Sequence, residues 1–341
     1  MDEFSFIKNY LSNYKPDGEL LCGIGDDAAI LRPQNGFDWH ISTDMLVAGR
    51  HFFVDVSPED LAYKVLAVNI SDMAAMGAIP KYVLLSAALP QLNLQWLDKF
   101  FQSLSEILLQ YSIKLIGGDT VKGNYIFNIT IIGQTPSGQA LKRNGAQVGD
   151  DIWVSGKIGL AAAGLYFEEQ CRKYNNGLKY ILDNKLSLPE SISIFSQDTI
   201  SMCLDKLLRP QPRVKLGNSL LNIAHSALDI SDGLLQDLGH ILESSNVSAL
   251  VYLNQIPSLC DLSLSNNYQQ WILSGGDDYE LIFTATPENE EQIKNIAQLA
   301  NIEVAKIGKI IDKDDNFLYK VFDDENGNEM KEINSGFNHF L

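Results

Sequence analysis

Asp72 stands inside residues 61–80, LAYKVLAVNISDMAAMGAIP, where apolar side chains recur at helical spacing. A carboxylate placed there constrains the chain strongly. Burying it beside Ile70, Met73 and Ala74 costs several kcal/mol unless a cation or strong donors meet it. Aspartate also stands among apolar or glycine-rich neighbours in GIGDD (23–27), STD (42–44), GGDT (117–120), DISDG (229–233) and GGDD (275–278). Solvated surface aspartates come mixed with Lys, Glu and Ser, and these do not. The economical reading is that several of them converge on hard divalent cations, which take oxygen ligands. Magnesium usually bridges a few carboxylates to phosphate oxygens rather than filling an all-protein cage. The chain reads first as a handler of metal-bound phosphates.

The pattern of elements predicts an α/β (α+β) protein. Its 341 residues are too many for one compact core and suit two domains. Ser57-Pro58-Glu59-Asp60 has the form of a helix start, with Ser as cap and Pro at the first position. The spacing predicts a helix from there to Met76, ended by Gly77 and Pro80. Helices are also expected over 4–14, 94–111, 216–226, 233–244 and 287–299. Strands are expected over 28–31, 38–42, 82–89, 125–133, 227–231, 249–253 and 280–284, with another running into Gly117-Gly118. The turn-rich stretch 135–151 separates a domain at 1–147 from one at 148–341. Residues 168–206 read as a polar excursion with no evident chemistry.

A net charge of −17 argues against a nucleic-acid partner. Cys22, Cys171, Cys203 and Cys260 lie far apart and read as reduced thiols, mostly buried, in a cytoplasmic protein. The acidic N-terminus has no signal-peptide character, and no apolar run is long enough for a membrane span. No GxxxxGK[ST] motif is present, so P-loop chemistry is excluded.

Each acidic motif has a competing structural reading. GIGDD and GGDD could be plain turns, STD a helix cap, and GGDT an ordinary strand-to-loop pair. DISDG was read as two carboxylates on one face of a strand, ahead of a helix N-terminus that favours anions; simple capping by Asp232 is the alternative. Taken with the acids, Arg143 in a polar loop is a candidate phosphate cation. His51, beside Phe52 and Phe53, could equally be a core histidine.

In chain order, GIGDDAAI, ISTDMLVAGRHF, NISDMAAMGAIP, LIGGDT, ALDISDGLLQDLGHI and SGGDDYEL together resemble the thiamine-monophosphate kinase family. It belongs to a superfamily with aminoimidazole ribonucleotide synthetase, selenophosphate synthetase and a hydrogenase maturation factor. The likeness covers about residues 4–165 and 207–341. It implies direct transfer of the ATP γ-phosphoryl group to thiamine monophosphate, assisted by several Mg²⁺ ions. By the same resemblance Asp27, Ser42, Thr43, Asp44, Asp72, Asp119, Asp229 and Asp232 are magnesium positions. Asp27, Asp72, Asp119 and Asp232 carry the catalytic role among them. Gly118, Asp119, Arg143 and Ser231 are implied nucleotide contacts. His51, Asp277 and Phe337 are implied substrate contacts; the family often has Glu at position 277. A homodimer is implied too, paired through a mixed sheet in the N-terminal ATP- and magnesium-binding domain. Two other readings stay open: a different ATP-dependent synthase of the superfamily, and a magnesium–nucleotide binding protein without turnover.

Overall fold

The computed structural model describes residues 19–22, 30–174, 176–324, 327, 329 and 330. The expected helix at 4–14 and the turn at 23–27 lie outside these residues. So do the site candidates Asp27 and Phe337.

Close contacts divide the chain into two units, the first holding the described residues up to Met73 and Gly77–Ala140, the second the described residues from Leu141 on. The boundary thus falls inside the turn-rich 135–151 stretch. Residues 74–76 belong with the second unit.

In the first unit, β1 (Leu20–Cys22) and β2 (Ile30–Leu31) form a two-stranded ribbon. The main sheet contains β3 (Phe37–Val47), β4 (Ile79–Leu89), β5 (Lys114–Lys122) and β6 (Ile126–Pro136), ordered β3-β6-β4-β5. β4 and β5 are parallel and the other pairs antiparallel, so the sheet is mixed as expected. Helix α1 (Pro58–Ala75) starts where its cap residues predict: the Asp60 N–H donates to Ser57 Oγ at 3.1 Å. Helix α2 (Leu94–Gln110) is amphipathic and buries Leu97, Phe100, Leu104 and Ile107. Phe100 stacks on Phe127 of β6 at 5.0 Å between ring centroids, which puts α2 on the sheet face carrying Phe127. Ser103 Oγ donates to the Glu59 carbonyl and ties α2 to α1.

The second unit is built on a six-stranded sheet. Its strands are β7 (Asp151–Ser155), β8 (Ser226–Asp229), β9 (Ser248–Tyr252), β10 (Leu281–Ala285), β11 (Val304–Ile311) and β12 (Tyr319–Phe322). They lie in the order β12-β9-β11-β7-β10-β8. Every residue of β7 is buried, as a strand covered on both faces requires. Ile152 and Val154 point into a core shared with α7 (Leu234–Ser245). Trp153 points to the other side, where Phe283 and Leu216 pack.

The excursion at 168–206 is mostly folded. The end of α3 (Leu160–Arg172), α4 (Leu178–Asp183) and α5 (Gln197–Leu208) share a core with Trp271 on α8 (Tyr268–Ser274). The helix expected over 216–226 is the short α6 (Val214–Ser219), and α9 (Glu290–Ala300) matches the last expected helix closely. Cys171 and Cys203 are free, buried thiols, pushed by burial up to about 11 and about 12, whereas Cys260 is exposed. No helix among the described residues is long and apolar enough to cross a membrane.

Candidate functional site

The first unit brings Ser42 and Asp72 together. Asp72 lies near the end of α1, and Ser42 Oγ on β3 donates to its Oδ2 at 2.5 Å. Two residues on, the Asp44 N–H donates to the side-chain oxygen of buried Asn69 at 3.0 Å. One turn separates Asn69 from Asp72, so this helix end holds the β3 strand at two points. Nothing in the spacing of Asn69 marks it in the sequence as a partner of β3.

Strand alternation corrects the expectation of three converging side chains in STD. Successive residues point to opposite faces, so Ser42 and Asp44 share a face and Thr43 takes the other. Thr43 Oγ1 instead meets Asn128 Nδ2 at 3.0 Å and Thr130 Oγ1 at 3.2 Å on β6. Asp119 lies on the Thr43 side as well: it pairs with Ser86, which pairs with Asn128, which pairs with Met45. The sheet therefore does not bring Asp119 to Asp72 within the unit.

Gly117 and Gly118 do not end a strand either. β5 runs through them in parallel register with Leu84 and Leu85. A Cβ on Gly118 would lie 1.9 Å from the Leu85 carbonyl oxygen, so only glycine lets the strands approach. His51 Nδ1 accepts from the Val47 N–H at 3.0 Å and so braces the turn after β3.

In the second unit, β8 ends at Asp229, and Ser231-Asp232-Gly233 form a loop into α7. Asp232 is therefore on a loop and not on a strand face with Asp229. A second loop lies alongside. The Asp277 N–H donates to the Ser231 carbonyl, and the Tyr279 N–H to the Ile230 carbonyl, both at 2.8 Å. A Cβ on Gly276 would come within 2.4 Å of the Ser231 oxygen, which explains glycine there. Asp277 and Tyr279 both take left-handed backbone angles, φ 68° and 49°. Such strain persists only where the surroundings over-determine it, and it clusters at ligand sites. The Tyr279 hydroxyl donates to Asp277 Oδ1 at 3.2 Å. Asp229, Ser231, Asp232 and Asp277 are thus neighbours through their main chains.

The helix N-terminus beyond Gly233 is not open to an anion. Asp237 Oδ2 accepts from the N–H groups of Ser231, Asp232 and Gly233 at 3.0, 3.1 and 3.1 Å. Burial, and then the Asp232 charge, pushes its carboxyl up to about 7. Sequence reading missed Asp237, which looks like any polar residue of an amphipathic helix.

The remaining acids of GGDDYEL have other work. Asp278 accepts from the Gly159 and Ala161 N–H groups at 2.6 and 3.1 Å and caps α3. Glu280 receives both arms of Arg213, at 2.6 and 2.5 Å, together with Lys206 and the Ser155 hydroxyl. Burial alone would raise its carboxyl, but the two cations hold it below the usual range. Lys206 closes the 168–206 segment, so that segment does supply one charge to the fold.

Arg143 is exposed on the loop ahead of β7. Its carbonyl accepts from Ser245 Oγ, which also receives the Gly145 and Ala146 N–H groups. The loop is anchored while the guanidinium stays at the surface.

Burial carries the Asp278 carboxyl up to about 7. The folded protein then keeps a proton that the unfolded chain releases near the ordinary carboxyl value. Stability from this group is complete below about 4 and is lost as pH rises through about 7. Thermal unfolding of the metal-free protein should therefore occur at lower temperature at pH about 8 than at about 5, with Asp278→Asn flattening the profile. A flat wild-type profile across that window would contradict the assignment.

Oxygen donors alone line these loops, a set suited to magnesium and not to zinc. Among the described residues no three His, Cys, Asp or Glu side chains gather closely enough to hold a metal.

Both domains match known families: residues 25–135 the AIR synthase related protein N-terminal domain, and 147–321 the corresponding C-terminal domain. The chain is 40% identical over 346 residues to the thiamine-monophosphate kinase of Haemophilus influenzae, covering 100% of this chain and 98% of that protein. The crystal structure of thiamine-monophosphate kinase from Stenotrophomonas maltophilia K279a is similar at TM-score 0.76 and 39% identity, over 89% of this chain and 91% of the other. A second structure, AaThiL complexed with AMPPCP and TMP, is similar at TM-score 0.72 and 26% identity, over 93% of this chain and 92% of the other.

Proposed function

We propose, because the chain belongs to the thiamine-monophosphate kinase family, that it transfers the γ-phosphoryl group of ATP to thiamine monophosphate, giving thiamine diphosphate. The observation that carries this reading is family likeness along the whole chain, joined to the Ser42–Asp72 contact at the end of α1 and the loop of Asp232. A relative of the same fold has been solved with AMPPCP and TMP, a donor analogue and a phosphate ester together.

Phosphoryl transfer needs little covalent help; it needs two phosphates held in line and their charge offset. Magnesium bound by the aspartates would supply most of that positive charge. Asp44, Asp72 and Ser42 would hold it in the first unit; Asp27, and Asp119 on the opposite sheet face, are assigned to magnesium as well. In the second unit Asp229 and Asp232 take that role. Thr43, whose Oγ1 meets Asn128 and Thr130, belongs to the same assignment. Gly118, Ser231 and the surface guanidinium of Arg143 are assigned to the nucleotide. His51, Asp277 and Phe337 are assigned to thiamine monophosphate. The acceptor is already a phosphate and largely ionised at neutral pH, so no strong general base is required.

A homodimer belongs to the same proposal. The sheet face that carries Asp119 also exposes Ile41, Met45 and Val121, at 68%, 54% and 54% of their surface. A second copy would cover these apolar side chains. Sedimentation at the mass of one chain would remove the dimer from the reading. A cytoplasmic location accords with the free thiols.

The deciding experiment is incubation with ATP, Mg²⁺ and thiamine monophosphate, followed by chromatography. Thiamine diphosphate appearing in step with ADP supports the reading. ATP hydrolysis without that product, or no reaction at all, overturns it.

A further inference from the structure

The loop Ser231-Asp232-Gly233 turns three successive N–H groups toward one point. Such a concavity ordinarily receives an anion from outside. Here a single oxygen of the chain, Asp237 Oδ2, fills it at 3.0 to 3.1 Å from all three donors. Asp237 is only 3% exposed and sits among the buried Leu234, Leu235 and Leu238. Its place is set by the core of the second unit. The loop is confined from the other side as well: Gly233 has φ +127°, and a Cβ there would lie 2.7 Å from the Ser274 oxygen. Gln236 Nε2 adds a contact to Asp232 Oδ2 at 3.2 Å.

These contacts have two consequences. The three N–H groups are used up, so a phosphate cannot be held by them. With those donors occupied, Asp232 itself is the charged group that the loop offers. Asp237 accepts from all three N–H groups of the loop and fixes its path.

We propose that Asp237 is a positioning residue for phosphoryl transfer, clamping the main chain of Ser231, Asp232 and Gly233 so that Asp232 presents its carboxylate to magnesium in one geometry. The inference rests on the kinase reading, since it deepens the role given there to Asp232. Asp237 touches neither substrate nor metal in this scheme; it acts through the loop.

The test is Asp237→Asn, which keeps the shape and replaces a charged acceptor by a neutral amide. Residues that orient metal ligands typically change metal affinity or activity by about 10- to 100-fold when replaced. The Mg²⁺ concentration for half-maximal activity should rise by about that factor, and so should the dissociation constant for Mg·AMPPCP measured by calorimetry. The KM for thiamine monophosphate should move by less than about twofold, because Asp237 bonds the Ser231 N–H and neither the Ser231 carbonyl nor the Tyr279 hydroxyl that hold Asp277. A merely structural Asp237 would lower the unfolding temperature and leave the Mg²⁺ midpoint within about twofold of wild type, and that result overturns the proposal. If Asp237→Asn does not fold, Asp237→Glu is judged by the same midpoint, since its longer arm displaces the loop while keeping the charge. Failure of the kinase reading would show separately, as wild-type protein that yields no thiamine diphosphate. The calorimetry would still decide on Asp237.

Discussion

Asp72→Asn should abolish turnover while the fold survives. Removing one preorganised electrostatic group from a transferring centre costs at least about a hundredfold in rate, and a group holding the metal belongs at the severe end. The structure explains why the change can be so selective. Ser42 Oγ donates to Asp72 Oδ2 at 2.5 Å, and an asparagine oxygen still accepts that hydrogen bond, though more weakly. The neighbours on the helix, Ile70, Met73 and Ala74, are almost wholly buried, and an amide of the same shape leaves them in place. Shape and packing persist; the negative charge does not. Arg143→Ala is the useful contrast. Its side chain is exposed on an anchored loop, so its loss should raise the KM for ATP by about tenfold and spare kcat. Near wild-type activity of Asp72→Asn at saturating Mg²⁺ would end the metal assignment of this residue.

Much of this architecture was legible in local patterns. Ser57-Pro58 announced α1, and Asp72 stood out because nothing in an apolar helix excuses a carboxylate. The strands fell within a few residues of their alternating patterns. What stayed hidden depends on partners distant in sequence. Gly117-Gly118 looked like the end of a strand, yet β5 runs on through the pair beside Leu84 and Leu85, and a Cβ on Gly118 would strike the Leu85 carbonyl. Asp237 gave no signal, since a helix surface aspartate and a loop clamp have the same spacing. Side-chain direction was misjudged at STD, where alternation sends Thr43 away from Ser42 and Asp44, and at DISDG, where the strand stops at Asp229 before Asp232. Both errors came from reading a cluster of oxygen-bearing residues as one site without following the backbone through it.

Glu280 carries the largest expected effect on stability. It is 1% exposed, and Lys206 and Arg213, which are 10% and 16% exposed, depend on it for counter-charge. Glu280→Gln would leave two nearly buried cations facing a neutral amide. Breaking a buried pair from one side costs about 3 to 5 kcal/mol, because the abandoned charge keeps its desolvation penalty. Lys206→Met should cost less: Arg213 retains its two-armed grip on the carboxylate, and the methionine stem keeps most of the packing. The position of Glu280 carries the damage to function as well. It lies three residues past Asp277, in the loop held to Ile230 and Ser231, so loosening it should also weaken binding of thiamine monophosphate. Urea unfolding gives the measurement. A midpoint for Glu280→Gln well below that of Lys206→Met, at unchanged slope, is the expected result. Equal midpoints would show that Arg213 and Lys206 find other partners, and that the buried carboxylate contributes little to the fold.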